Sequence, residues 1–350
     1  MTTFHHALRR HFVFRSLAAW LAAGSMATAA MPVALAQEGS AAAASRTPTG
    51  KVPAAVSVLS IVEHPSLDAL RDGLHDELKD AGYQDGKSLH WAYQSAQGNQ
   101  GTAVQIARKF VGDRPDVIVP IATPAAQAVV SATHQIPVVY NAITDPIAAQ
   151  IVKSMAPSGT NVTGVSDKLV AERQVAFIKR VVPDAKRVGI IYSPAEANSV
   201  SATREMKVAL EKQGISLVEV AAPRSIDVGQ AAQRLVGKVD VIYTSNDNNV
   251  ISAYESVIKV ANAAKIPLIC ADRSSVQRGA TGAMAIDYYR MGRQTGRMVL
   301  RILNGEKPGD IASETSDRLD ITLNLDAARR QGATLSPELQ AEASEIFGKP

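Results

Sequence analysis

The sequence predicts an α/β protein of two lobes, each a mainly parallel sheet flanked by helices, joined by several crossover segments that form a hinge. Three observations carry this. Six apolar, β-branched runs each end abruptly in a short polar cluster, and in most the cluster opens a helix-like stretch. Continuous apolar runs linked by helical crossovers read as buried parallel strands. The same strand–helix scheme then occurs twice along the chain, and a long amphipathic helix and one more strand follow the second set, so the chain crosses between lobes more than once. A hinge between two lobes makes a cleft. Because ligands of open parallel sheets bind outside the carboxyl ends of the strands, the polar clusters of both lobes are expected to face it.

The first set begins with a strand at 56–62 that runs into Glu63-His64-Pro65. The helix after Pro65 places Leu67, Leu70, Leu74 and Leu78 at helical spacing and stops at Gly82. A strand at 88–93 and a helix at 102–111 follow. Val117–Ile121 runs into Ala122-Thr123-Pro124, and a strand beginning at Val138 runs into Thr144-Asp145-Pro146. A short strand at 161–165 leads out of the lobe. In the second set, a helix at 169–181 ends before Pro183, and Arg187–Tyr192 runs into Ser193-Pro194-Ala195-Glu196. A helix at 199–213 is stopped by Gly214, then come a strand at 216–220 and a helix at 228–236. Val241–Thr244 runs into Ser245-Asn246-Asp247-Asn248-Asn249, a helix covers 250–264, and a strand at 267–270 runs into Ala271-Asp272. Gly282–Ile286 closes the set. Tyr288–Leu303 then reads as a long helix with Met291, Thr295, Met298 and Ile302 on one stripe and Gly305 past its end. A strand at 319–325 and a helix at 337–347 complete the chain.

Residues 1–36 look like an export signal. Arg9, Arg10 and Arg15 form a basic start, residues 12–35 are apolar and free of acids, and Ala34-Leu35-Ala36 fits a small-x-small cleavage site before Gln37. A membrane anchor is the alternative, weakened by Gly24, Ser25, Thr28 and Pro32. The loose twin-arginine likeness of Arg9-Arg10 leaves the export route open. Residues 37–52, rich in Ala, Ser, Thr, Gly and Pro, read as a flexible linker. Without the leader's three arginines, the 37 basic residues fall to 34 against 33 acidic ones. That balance supplies neither a basic stripe for nucleic acid nor a polybasic membrane patch. Cys270 is the only cysteine, which excludes an internal disulfide, a CxxC pair and a thiolate zinc site. It reads as a buried small hydrophobe.

The polar clusters mix carboxylates, hydroxyls and amides, which suits holding a small polar molecule. The candidate ligand contacts are Glu63, His64, Thr123, Thr144, Asp145, Ser193, Glu196, Asn198, Asn246, Asp247 and Asp272. Thr123-Pro124 and Thr144-Asp145-Pro146 place a capping residue before a proline, and Ser193-Pro-Ala-Glu196 has capping-box spacing. Each would serve as a plain helix cap in any βα turn. Equally, a free helix start offers N–H groups to a ligand carboxylate. Strand-end acids would meet a ligand ammonium, since a buried acid without a partner is costly. Asp272 and Asp145, from opposite lobes, are the first choices. Asn246, Asn248 and Asn249 exceed what a turn requires. His64 fits a structural role as well as a ligand contact, and Tyr192, Tyr288 and Tyr289 fit either ligand stacking or hinge packing. No phosphate loop, HExxH or GxSxG motif occurs, so no cofactor or metal is expected. Because catalytic groups assemble in space, an exported enzyme stays as a rival reading.

These motifs resemble one family. Val62-Glu63-His64-Pro65-Ser66-Leu67-Asp68, Ile121-Ala122-Thr123-Pro124-Ala125-Ala126-Gln127-Ala128, Ile143-Thr144-Asp145-Pro146 and Asn161-Val162-Thr163-Gly164-Val165-Ser166 are similar to the exported solute-binding proteins of ABC importers. The tryptophan/tyrosine-type subgroup is the nearest in pattern. Tyr243-Thr-Ser-Asn-Asp-Asn-Asn249, residues 282–289 and Leu323-Asn-Leu-Asp-Ala-Ala328 fit as well. The resemblance implies two Rossmann-like lobes of the type I periplasmic-binding-protein fold, with residues 53–165 and 287–318 in the first lobe and 166–286 and 319–350 in the second. It implies a periplasmic monomer that captures an aromatic or related amino acid and delivers it to an ABC permease and its ATPase. A ligand-sensing subunit for a membrane receptor is the other use of such a scaffold.

Overall fold

The computed structural model describes residues 47–316 and 318–349. The expected export leader and the linker up to residue 46 lie outside the described residues. No helix among the described residues is long and apolar enough to cross a membrane.

The elements run in the order β1 (Ala54–Ser60), α1 (Pro65–Asp80), β2 (Leu89–Ser95), α2 (Gln100–Asp113), β3 (Val117–Ile121), α3 (Thr123–Ala132), β4 (Val138–Asn141) and β5 (Val162–Ser166). There follow α4 (Ala171–Val181), β6 (Arg187–Tyr192), α5 (Ala197–Glu211), β7 (Ser216–Ala221), α6 (Val228–Leu235), β8 (Val241–Thr244), α7 (Asn248–Ser252), α8 (Tyr254–Ala264), β9 (Leu268–Asp272), α9 (Arg273–Arg278) and β10 (Gly282–Ile286). The last part holds α10 (Tyr288–Leu303), β11 (Glu314–Thr315), β12 (Leu319–Asn324), α11 (Leu325–Arg330), α12 (Pro337–Glu342) and β13 (Glu345–Phe347).

Two sheets result, ordered β11-β5-β4-β3-β1-β2 and β13-β12-β10-β9-β8-β6-β7. Every pairing is parallel except β10 with β12. The central strands β3, β4, β8 and β9 are buried at every position. That two-sided burial explains their unbroken apolar runs. The chain leaves the first sheet after β5, returns after β10 and crosses again between β11 and β12. Three crossovers therefore form the hinge.

Helix α10 belongs to the first lobe, where Met291, Met298, Val299 and Ile302 join the core. Its backbone lies directly on α1. A Cβ on Gly73 would stand 2.1 Å from the Tyr289 carbonyl oxygen, and one on Gly292 would stand 2.0 Å from that of Leu70. Only glycine permits this approach. Arg293 adds ion pairs to Glu77 and Asp80 of α1. The packing fixes the start of α10, and with it Tyr288, beside the cleft.

Several elements differ from the sequence expectation. The helix expected at 250–264 is two helices broken at Ala253. The C-terminal stretch is a short helix and then β13, which pairs with β12. The short helices α9 and α11 follow strands directly, too brief to show a periodic stripe. Thr144-Asp145-Pro146 opens turns rather than a helix, and α5 starts at Ala197 with Glu196, not Ser193, at the cap position.

Candidate functional site

Between the carboxyl ends of the two sheets lies a cavity. His64, Leu67, Ala122, Thr123, Ala142 and Thr144 line it from the first lobe, Asp167 and Tyr288 from the crossovers, and Asn198, Asn246, Asn248 and Ile251 from the second lobe. A larger groove of about 440 Å³ lies elsewhere, beside β10 and β12, with Arg273 and Glu345 in its wall paired to each other. Among the described residues no buried polar atom without a partner lines that groove, whereas four line the inter-lobe cavity. An unpaired buried polar group costs about 1–3 kcal/mol, so four around one space mark a site built for something else to fill.

The first is His64 Nε2. The imidazole is the N-cap of α1, its Nδ1 accepting from the Leu67 N–H at 3.4 Å. That bond assigns the proton to Nε2, which has no partner. Burial pushes the His64 pKa down to about 4, against the opposing charge of Asp272, so the ring is a neutral donor at pH 7. The second is Thr123 Oγ1. Thr123 is the first residue of α3 rather than its cap; Ala122 holds the cap position with φ 72° and offers no side-chain acceptor. The first N–H groups of α3 thus meet no capping side chain, and they carry the positive end of the helix dipole. Ala142, at the end of β4, is also left-handed, with φ 55°. Positive φ at a residue with a Cβ costs on the order of 1–3 kcal/mol, strain of the kind that clusters at functional sites.

The third and fourth are Asn198 Oδ1 and Asn246 Oδ1. Asn198 donates through Nδ2 to the Asn246 carbonyl at 2.9 Å and to Glu196 at 3.2 Å. Asn246 donates through Nδ2 to Asp167 at 2.9 Å. Both amides are therefore oriented by their nitrogens, and their oxygens remain as acceptors at the cavity wall.

Asp167 joins the two lobes. Its carboxylate accepts from the Thr144 hydroxyl at 2.9 Å, the Tyr288 hydroxyl at 2.7 Å and Asn246. Burial raises its pKa in spite of these three donors. Among the described residues no Lys, Arg or His pairs with it. Behind the second-lobe wall sit two more buried acids. Asp247 accepts from Ser193 N–H and Oγ, Ser199 Oγ and Val250 N–H. Glu196 accepts from the Asn248 side chain at 2.7 Å. Burial, and then the charge of Asp247, raise Glu196 to about pKa 7.

Comparison with known proteins decides the family. Residues 55–347 match the family described as ABC transporter substrate binding protein. The chain belongs to that family. It is 39% identical to a tyrosine-binding protein of Clostridioides difficile over 78% of this chain and 79% of the relative. Its fold matches a conserved domain protein from Vibrio cholerae with TM-score 0.83 and 47% identity, covering 84% of this chain and 99% of that one. A second match is an ABC domain in complex with L-Trp from Streptococcus pneumonia, with TM-score 0.81 and 33% identity, covering the same shares of 84% and 99%. The family's type I periplasmic-binding-protein fold accounts for the two parallel-sheet lobes.

Within this substrate-binding protein, the structure brings His64, Thr123, Thr144, Asn198 and Asn246 together around the cavity. Glu196 and Asp247 stand one layer behind. Other candidates are engaged elsewhere. Glu63 is exposed and bonds Gln97 and Tyr93 outside the cavity. The Ser193 N–H, read from sequence as a carboxylate donor, is taken by Asp247 at 2.6 Å. Asp272, read as an ammonium partner, instead accepts from the hydroxyls of Ser66 and Ser274 and the N–H of Ser275. Asp145, the other such choice, accepts from Ala148 N–H, Lys168 and Ser201. Burial favours its neutral form, but the Ala148 and Lys168 bonds outweigh this and lower its pKa. Of the tyrosines, Tyr288 lines the cavity, while Tyr289 is exposed and bonds Asp76. Asn249, in α7, donates to the Ser193 hydroxyl and the Pro223 carbonyl and does not line the cavity. Sequence reasoning missed Asp167. It follows β5 directly, as a strand-end acid, but that strand was read only as an exit from the lobe.

Proposed function

We propose that this substrate-binding protein captures an aromatic or closely related amino acid between its lobes and hands it to the permease and ATPase of an ABC importer. In this reading it is exported, works in the periplasm as a monomer, and loses its leader before Gln37. The observation that carries the proposal is the set of four partnerless polar atoms around one cavity with a buried, cation-free carboxylate in its wall. A zwitterion supplies what each lacks. Its carboxylate accepts from His64 Nε2–H, the Thr123 hydroxyl and the start of α3. Its ammonium donates to Asp167 and to the oxygens of Asn246 and Asn198. The aromatic class is supported by the tyrosine-binding relative and the L-Trp complex.

Residues 53–165 with 287–318, and 166–286 with 319–350, would then move as two bodies about the crossovers. Asp145 and Asp272 act in this reading as latches of the closed lobes. Ser66 of α1 donates to Asp272 at 2.9 Å, and Lys168 bridges Asp145 at 3.2 Å to Glu205 of α5 at 2.8 Å. Calorimetry with tyrosine, tryptophan, phenylalanine and leucine tests the ligand class, and small-angle scattering tests closure. Binding of an aromatic amino acid with a smaller radius of gyration is expected. A folded protein that binds none of the four would overturn the reading.

A further inference from the structure

A second chamber opens from the same cleft, on the second-lobe side of Asn246. Thr144 and Asn246 line both spaces, so chamber and cavity are neighbours across a shared wall. Leu169, Met206 and Ala271 give the chamber apolar walls, and Tyr243 adds an aromatic one. Two further polar atoms without partners stand among them, Gln174 Oε1 and Ser245 Oγ, on side chains almost wholly buried. Gln174 has one settled orientation. Its Nε2 donates to the Met284 carbonyl at 3.0 Å, which leaves Oε1 as the unused acceptor. Ser245 precedes Asn246, so the residue that orients the ligand's polar end and the one in this chamber are adjacent in the chain.

An apolar chamber has no need of a buried amide oxygen and a buried hydroxyl. An aromatic ring bearing a hydroxyl satisfies both: its O–H donates to Gln174 Oε1, and its oxygen accepts from Ser245 Oγ. A plain phenyl ring fills the same walls and leaves both atoms unpaired, at the cost of their desolvation. A site that hydrogen-bonds a substrate hydroxyl rejects the analogue lacking it far more strongly than an apolar pocket sorts rings by size. With the lobes as described, the chamber holds about 30 Å³ of free volume, enough for a water and not for a ring. The chamber walls must therefore draw apart to seat a ring.

Resting on the function proposed above, we propose that this chamber receives the ligand's side chain and that Gln174, with Ser245, selects a ring carrying a hydrogen-bond donor: tyrosine first, and not phenylalanine. The test is calorimetry of the full mature protein with tyrosine, O-methyl-tyrosine and phenylalanine. Tyrosine should bind at least about tenfold more tightly than either analogue. Gln174→Met, close in volume and without the acceptor, should collapse the tyrosine-to-phenylalanine ratio toward one. Ser245→Ala should reduce it by a smaller factor, and stands in if Gln174→Met does not fold by thermal melting. Equal affinity of the wild-type protein for tyrosine and phenylalanine overturns the inference, as does a ratio that survives both substitutions. Those results leave aromatic amino-acid capture standing. Failure to bind any aromatic amino acid is a different result, and removes the parent reading too.

Discussion

The first-lobe wall of the cleft is set by backbone, with Ala122 and Ala142 both held left-handed at strand ends and α3 starting without a side-chain cap. The second-lobe wall is set by side chains, with Asn198 and Asn248 hydrogen-bonded to Glu196, which stands beside the buried Asp247. The difference matters for response. The backbone donors of a wall made of fixed dihedrals are the same at every pH, whereas a wall hung on two buried acids depends on their proton. The first lobe thus offers rigid donors for an anion, and the second offers oriented acceptors for a cation. Asp167 joins the two through Thr144 on one side and Asn246 on the other.

Removing that junction should have the largest effect. Asp167→Asn keeps the shape and deletes the charge, and truncating one partner of a desolvated ion pair costs roughly 2–5 kcal/mol. Affinity for the best amino-acid ligand should fall by about thirtyfold to several thousandfold in calorimetry. The melting temperature should hold or rise, because an uncompensated buried charge has gone. An unchanged affinity would mean that the ammonium sits elsewhere.

The two walls should also carry opposite pH signatures. His64 is depressed to about pKa 4 from 6.5, so the stability it contributes is present above pH 6.5 and lost as pH falls through about 4. Glu196 is raised from 4.5 to about 7, so its contribution is present below pH 4.5 and lost as pH rises through about 7. Over roughly pH 4.5–6.5 they offset each other. Melting curves of Glu196→Gln should therefore rise more steeply with pH than those of the parent, and His64→Gln should shift the slope the other way. Each difference should be on the order of 1–3 kcal/mol across the window. Parallel slopes in all three proteins would remove the contrast.

Smaller effects refine the first wall. Thr123→Val deletes a hydroxyl that has no partner among the described residues. Ligand affinity should drop about three- to tenfold, with stability unchanged or improved. Ala142→Gly relieves a left-handed alanine at some entropic cost, so chemical denaturation should register a change under about 1 kcal/mol, in the stabilising direction. A large loss in that variant would show that the Ala142 methyl packs the wall rather than merely tolerating its turn.

Much of the fold is legible in the sequence itself. Val117–Ile121, Val241–Thr244, Gly282–Ile286 and Tyr288–Leu303 take the bounds their patterns predict, because a strand buried on both faces must be apolar throughout and a one-sided helix must be striped. The site was readable by zone but not by residue. Asp272 ends β9 and Asp167 directly follows β5, and nothing in their neighbours separates them. One is met by three hydroxyl or amide donors at the start of α9 and from α1; the other is placed where two lobes and a hinge converge. Thr123-Pro124 and Ser193-Pro194 likewise read alike, yet only Thr123 opens a helix at its own position.

Local sequence therefore determined the strands, the long helices, their doubling into two lobes, and the edge on which a site must lie, because periodicity and burial act within an element. Tertiary structure alone decided which strand-end groups keep a free hydrogen bond. That depends on partners distant in the chain: Asp247 for Ser193, Met284 for Gln174, and Tyr288 for Asp167. A hydrogen-bonding group has the same identity in sequence whether it is spent or available, and only the packing of remote elements around it makes the difference.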